Sequence, residues 1–163
     1  MRTLFDGKHV VVRERDGWEF VERKSAKEAV AVVAVTDAFE FVLTEQYRRP
    51  VDARVIDFPA GLIEEFDVLE TARRELEEET GFTCASLEQL AAGPSSPGIT
   101  SEIVHVVLAR GLRRISDGGG VDGEKIAVHL VPLGELAEWL RRKEAEGVRI
   151  DLKVGCFMLT STL

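Results

Sequence analysis

The chain is poor in the features that would stabilise it from outside a core or tie it to a large partner. Its 163 residues include only two cysteines, Cys84 and Cys156, and these form no CxxC or other metal-spaced pair. The expectation is two reduced thiols in a cytoplasmic protein. No apolar run approaches the roughly 20 residues of a membrane span, so no membrane association is expected. The opening stretch, MRTLFDGKHVVVRERDGW, contains no uninterrupted apolar segment, so it does not read as a secretory leader. Basic residues are in deficit, 21 Lys and Arg against 29 Asp and Glu, for a net charge of −8. A protein that reads a phosphate backbone usually carries a basic face, and this deficit argues against a nucleic-acid partner. Internal repeats are absent, and no linker divides the chain.

What remains is a globular composition. Hydrophobic residues make up 45% of the chain, enough for one domain over 1–163 to bury a core. KHVVVRE and WEFVER alternate around Arg15-Asp16-Gly17 and read as a hairpin within an N-terminal β region, about 1–28. Isolated hairpins are marginal and need a surface to pack on, which points to a dimer. Ala29–Asp37 is a continuous β-branched apolar run, the pattern of a central strand. Strands are also expected in EFVLTEQYR, ARVID, ASLEQLAAG, IVHVVLARGL and IAVHLVPL. Helices are expected over Asp67–Thr80, over LGELAEWLRRKEAEG and within 150–163. Leu69, Ala72 and Leu76 form the buried stripe of the first helix, with Asp67 as its N-cap. Mixed strands and helices predict an α/β fold with a mixed sheet covered by helices.

The first helix ends unusually. RRELEEETGF crowds Glu75, Glu77, Glu78 and Glu79 into the last turns before Gly81. Carboxylates at a helix C-terminus are disfavoured by roughly 0.3–1 kcal/mol each, and Glu75 and Glu79 repel at i,i+4. At about 100° per residue, Glu75, Glu78 and Glu79 share one side while Glu77 points away. Hard oxygen ligands in such a group suit Mg²⁺, with Mn²⁺ as an alternative. A solvated acidic face is the competing explanation of the run alone.

The segment GLIEEFDVLETARRELEEETGF, residues 61–82, resembles the Nudix box, G-x5-E-x7-R-E-U-x-E-E-x-G-U, where U is aliphatic or aromatic. Its second half matches throughout: Arg74, Glu75, Leu76, Glu78, Glu79, Gly81 and Phe82. Its first half is one residue short between Gly61 and Arg74, and Asp67 stands where the family has a glutamate that orients the arginine, a role that would fall here to Asp67 or Glu65. The resemblance implies an α/β/α sandwich with a mixed sheet. It also implies hydrolysis of nucleoside diphosphates linked to another moiety. Glu75 and Glu79 would be the main metal ligands, Glu78 a further ligand or support, and Ala60 a backbone-carbonyl ligand.

EQYR (45–48), PAGLIEE (59–65), SPGITSE (96–102), GEKIAVHLVPL (123–133) and IDLKV (150–154) follow in an order similar to the ADP-ribose pyrophosphatase subfamily. That likeness implies Glu124, in a glycine-rich loop with Asp122, as the base or the group that positions water. It implies Arg48 as a phosphate clamp, and Gly98 and Glu102 as a loop presented to ribose hydroxyls. Trp18 and Arg23 match positions that stack on adenine and contact substrate across a dimer. The expected substrate is ADP-ribose, cleaved to AMP and ribose 5-phosphate, or a related nucleoside diphosphate sugar. The alternatives are a hydrolase of GDP-mannose or another nucleotide sugar, and a domain that binds ADP-ribose without cleaving it.

Overall fold

The chain begins with three antiparallel strands, β1 (Arg2–Asp6), β2 (Val10–Arg15) and β3 (Trp18–Arg23), which form a small sheet of their own. The hairpin turn has Asp16 and Gly17 at positive φ, as the sequence pattern anticipates, whereas β1 adds a strand it does not flag. The computed structural model describes residues 1–64, 67–121 and 123–160, with side chains as far as Cys156. Glu65 and Asp122 therefore lie outside the described residues.

A second, eight-stranded sheet carries the rest of the chain. Its strands are β4 (Glu28–Val35), β5 (Glu40–Arg48), β6 (Ala53–Asp57), β7 (Ala60–Ile63), β8 (Phe82–Pro94), β9 (Ile103–Arg114), β10 (Ala127–Pro132) and β11 (Arg149–Ile150). The main order is β11-β6-β5-β4-β9-β8, with β10 beside β5 and β7 beside β4. The β4–β9 and β11–β6 pairs are parallel and the others antiparallel, so the sheet is mixed. Helices α1 (Val68–Thr80), α2 (Leu136–Ala145) and α3 (Leu152–Thr160) complete the fold.

Alternation along β4 explains why its sequence is apolar throughout. Ala31 and Val33 pack with Leu136 and Leu140 of α2 and Val154 of α3. Val30, Val32 and Ala34 pack with Ala72 and Leu76 of α1. Successive side chains point to opposite faces, so a strand covered on both faces has no polar side. The result is the expected α/β/α sandwich.

The sheet forks at β4. Only Ala34 and Val35 pair with β5, while Glu28–Ala31 pair with β7. Beyond the fork β5 turns to β6, with Arg48 opposite Ala53 and Thr44 opposite Asp57. Separating β5 from the first half of β4 opens a cleft above β7.

In α1 the stripe differs from expectation. Ala72 and Leu76 are buried, but Leu69 is 40% exposed and Thr71 is buried. Leu69 sits in the first turn and faces a groove between the helix and β8. Asp67 caps the helix as expected, accepting hydrogen bonds from Leu69 N at 2.8 Å and Glu70 N at 2.9 Å.

Candidate active site

The cleft at the fork encloses about 710 Å³ and is lined by Arg23, Arg48, Ala60, Gly61, Glu75, Glu79, Glu102 and Glu124, among others. These residues come from β3, β5, β7, α1, the segment before β9 and the loop before β10. Their meeting depends on how those elements are placed, not on any one stretch of sequence.

Glu79 lies at the centre. It is 4% exposed, and its Oε2 accepts a hydrogen bond from Ala60 N at 3.0 Å. Burial pushes its carboxyl up to about 8 against the pull of the Ala60 amide, with Glu75 and Glu124 adding to the rise. Glu75 is raised too, first by burial and then by Glu78 and Glu124, against Arg74. Carboxylates that lose their hydration and repel one another favour a bound cation.

Gly61 makes room for this arrangement. A Cβ on Gly61 would lie 2.0 Å from Cδ and Oε1 of Glu75. The glycine at the start of the box therefore leaves the space that a glutamate at its centre occupies.

Arg74 donates to Glu75 Oε1 at 2.6 Å and to Glu78 Oε2 at 2.9 Å. One guanidinium thus bridges two acids of its own helix. Asp67 directs its carboxylate to the helix amides instead. Glu78 and Arg74 line the groove of about 810 Å³ between α1 and β8, together with Glu77. The structure therefore gathers Glu75, Glu79 and Glu124 in the cleft and places Glu78 beside it, joined through Arg74.

The crowded acidic helix end is closed by main-chain donors. Gly81 N donates to Glu77 O at 2.9 Å, Gly120 N to Glu78 O at 3.0 Å and Gly119 N to Glu79 O at 2.8 Å. These bonds satisfy carbonyls that a helix terminus leaves open. They also fasten the loop leading to Glu124 onto the helix that carries Glu75 and Glu79. Glu124 is exposed, and its Oε2 accepts from Val121 N at 3.4 Å.

At the β9 margin, Arg23 Nε donates to Glu102 Oε1 at 2.7 Å, and Ser95 Oγ donates to Glu102 Oε2 at 3.0 Å. Trp18 Nε1 donates to Gly98 O at 3.1 Å and leaves the indole 63% exposed. Trp18 and Gly98 touch each other beside the cleft but are not among its lining residues.

Asp57, Asp151 and Lys153 also line the cleft; sequence reasoning gives Asp57 no role, and it singles out the IDLKV segment holding Asp151 and Lys153 without a role for either side chain. Lys153 Nζ donates to Asp57 Oδ2 at 3.1 Å and to Asp151 Oδ1 at 2.7 Å. A signal was available in VIDFPAG, where an acid closes an apolar strand.

The donor set fits a hard divalent cation: carboxylate oxygens, two of them raised by burial and mutual repulsion. Among the described residues, no three or more His, Cys, Asp or Glu side chains already converge on one ion position.

The NUDIX domain model matches residues 26–150. The chain is 42% identical over 137 residues to the ADP-ribose pyrophosphatase of Bacillus subtilis, covering 83% of this chain and 74% of that protein. It is 39% identical over 138 residues to the methanol dehydrogenase activator of Bacillus methanolicus, covering 83% and 74%. The solved structure of an ADP compounds hydrolase superposes with a TM-score of 0.69 at 26% identity, covering 86% of this chain and 80% of that one. The matched residues include all eight strands of the larger sheet and Glu75, Glu79 and Glu124 of the cleft, and the chain belongs to the Nudix family.

Proposed function

We propose that the chain is a pyrophosphohydrolase that cleaves the diphosphate of ADP-ribose, giving AMP and ribose 5-phosphate. The observation that carries this reading is the convergence of Glu75, Glu79 and Glu124 with Arg23 and Arg48 in one cleft. The likeness to an ADP-ribose pyrophosphatase over most of the chain supports the substrate.

Glu75 and Glu79 would hold a divalent cation, Mg²⁺ or Mn²⁺, with Ala60 at the same site. When bound, the cation neutralises diphosphate charge and makes phosphorus more electrophilic. Arg48 and Arg23 hold phosphate oxygens with planar guanidinium forks. Arg74, braced by Glu78, fixes the Glu75 carboxylate. Glu124 accepts a proton from water as the water oxygen bonds to one phosphorus. The bridging P–O bond breaks, and the bridging oxygen leaves on the other phosphate with the electron pair. Trp18 offers a surface for the adenine, and Glu102, with Gly98 beside it, accepts ribose hydroxyls.

The two free cysteines suit a reducing compartment, and we place the protein in the cytoplasm. The three-stranded N-terminal region leaves Phe5 59% exposed and has only Val11 buried. It serves as the contact of a homodimer built from single-domain chains.

The test is release of phosphatase-sensitive products from ADP-ribose with Mg²⁺, compared among wild type, Glu79→Gln and Glu124→Gln. Each substitution is expected to lower kcat by about 10² or more. Equal rates in all three proteins would refute the assignment.

A further inference from the structure

Resting on the reading of this cleft as a nucleoside diphosphate sugar hydrolase, the geometry points to a second sugar subsite: Asp57, Asp151 and Lys153 bind hydroxyl groups of the sugar beyond the diphosphate and select among nucleotide sugars. None of the three is used in the chemistry described above.

Position is the first argument. The group proposed to hold the cation against the diphosphate, Ala60, Glu75 and Glu79, lies over β7, in the gap where β5 leaves β4. Glu102 and Arg23 stand at the β9 side of that gap. Asp57 ends β6, and Asp151 follows β11, which runs parallel beside β6. From β6 to β9 there are three strand steps, about 14 Å at ordinary spacing and more across the fork. Two hydroxylated sugars flanking a diphosphate need two polar ends separated on this scale.

Chemistry is the second argument. Ile56 packs in the core beneath α2 and α3, so its neighbours Val55 and Asp57 project to the other face and line the cleft. Asp57 Oδ1 accepts from Phe58 N at 2.8 Å and its Oδ2 from Lys153 Nζ at 3.1 Å. Asp151 Oδ1 accepts from Lys153 N at 2.9 Å and from Lys153 Nζ at 2.7 Å. These bonds fix both carboxylates and the ammonium in place. Lys153 has three donors, of which these bonds take two. Two acids and one cation leave the group net negative, which disfavours another phosphate and suits hydroxyls that both donate and accept. Burying such charges is costly, and well-packed apolar side chains are often at least as stable in that setting. A group kept polar at the wall of a ligand cleft is better explained by the ligand.

Lys153→Met keeps an unbranched apolar stem while removing the charge. The measurement is kcat/KM for wild type and variant on ADP-ribose, ADP-glucose and the β-methyl ester of ADP, which keeps the diphosphate but has no second sugar. The expected result is a loss on ADP-ribose at least tenfold larger than on the methyl ester, with a changed ADP-ribose to ADP-glucose ratio. Equal losses on all three substrates would overturn the subsite while leaving the hydrolase reading intact. A wild type inert toward all three would overturn the hydrolase reading and the subsite with it. Should Lys153→Met fail to fold, Asp151→Asn carries the same comparison.

Discussion

Glu79 shows what a single residue can be asked to do in this fold. It is nearly solvent-free, yet it carries a carboxylate beside two other acids. Gly61 is the small residue on which the arrangement depends. In Gly61→Ala the new methyl would meet the Glu75 carboxylate at 2.0 Å, and Glu75 has to swing away because it is the flexible partner. The expected outcome is a fall in kcat/KM of about tenfold or more, since small misplacements of a catalytic group are costly. The melting temperature should move by only a few degrees, and activity and thermal scans on the same preparation check both parts.

Asp57 yields a pH-dependent prediction at the same scale. Burial pushes its carboxyl up to about 6, against the pull of Lys153, from an ordinary value of 3.8. Burial lowers Lys153, but Asp57 and Asp151 outweigh it and leave the ammonium raised. The pair is therefore charged at neutral pH. Because the folded-state value of Asp57 is the higher one, the folded protein binds this proton more tightly than the unfolded chain. Its contribution to stability is full below about pH 4 and is lost as pH rises through about 6. Asn cannot titrate, so Asp57→Asn should lack this slope. Stability relative to wild type should shift in the variant's favour between pH 4 and 7 by on the order of 2 kcal/mol. Urea midpoints at the two pH values measure it.

At the scale of elements, α1 and the glycine-rich loop act as one unit. The acids that weaken the helix end are opposed by loop amides bonded to Glu78 O and Glu79 O. Gly118 sits at the contact, and a Cβ there would lie 2.4 Å from Thr80 C and 2.6 Å from Gly81 N. Those are backbone atoms and cannot turn aside, and the φ of +66° is also unfavourable for alanine. Gly118→Ala should therefore destabilise the protein by about 1–3 kcal/mol and lower kcat more than it raises KM, because Glu124 is displaced with the loop. Chemical denaturation and steady-state kinetics test the two effects separately.

The same element shows where sequence reading succeeded and stopped. The cap at Asp67, the stop at Gly81 and the buried positions Ala72 and Leu76 were legible, because caps and periodicity are local signals. Leu69 was read as core, but it is exposed, because burial in the first turn depends on what the sheet places opposite it. The glycines of the loop that carries Glu124 give no sign of its bonds to α1, since nothing local tells which carbonyls its amides will meet.

For the whole molecule, a ligand that binds only the folded state raises stability by mass action. ADP with Mg²⁺ should therefore raise the melting temperature, by several degrees at about 100 times Kd, while a chelator removes the cation-dependent part. A melting temperature indifferent to both would count against the cleft as a metal and nucleotide site. No described helix is long and apolar enough to cross a membrane. Leu4 and Phe5 of β1 are exposed, and they belong to the surface proposed above as the dimer contact. Light scattering of the full chain, compared with a variant carrying Phe5→Ser, tests the proposed dimer.

The sequence by itself determined the local chemistry: strands by alternation, the central strand by its unbroken apolar run, α1 by its cap and stop, and the acids of the box by their spacing. Such signals act over a few residues and survive without knowledge of the fold. Tertiary structure decided the rest. The fork of β4 opens the cleft, loop amides bonded to the end of α1 bring Glu124 to Glu75 and Glu79, and Arg74 holds Glu78 at the neighbouring groove. The β11–β6 pairing brings Lys153 to Asp57 across 96 positions. Those pairings arise from strand order and from how the sheet divides, which no short stretch of residues encodes.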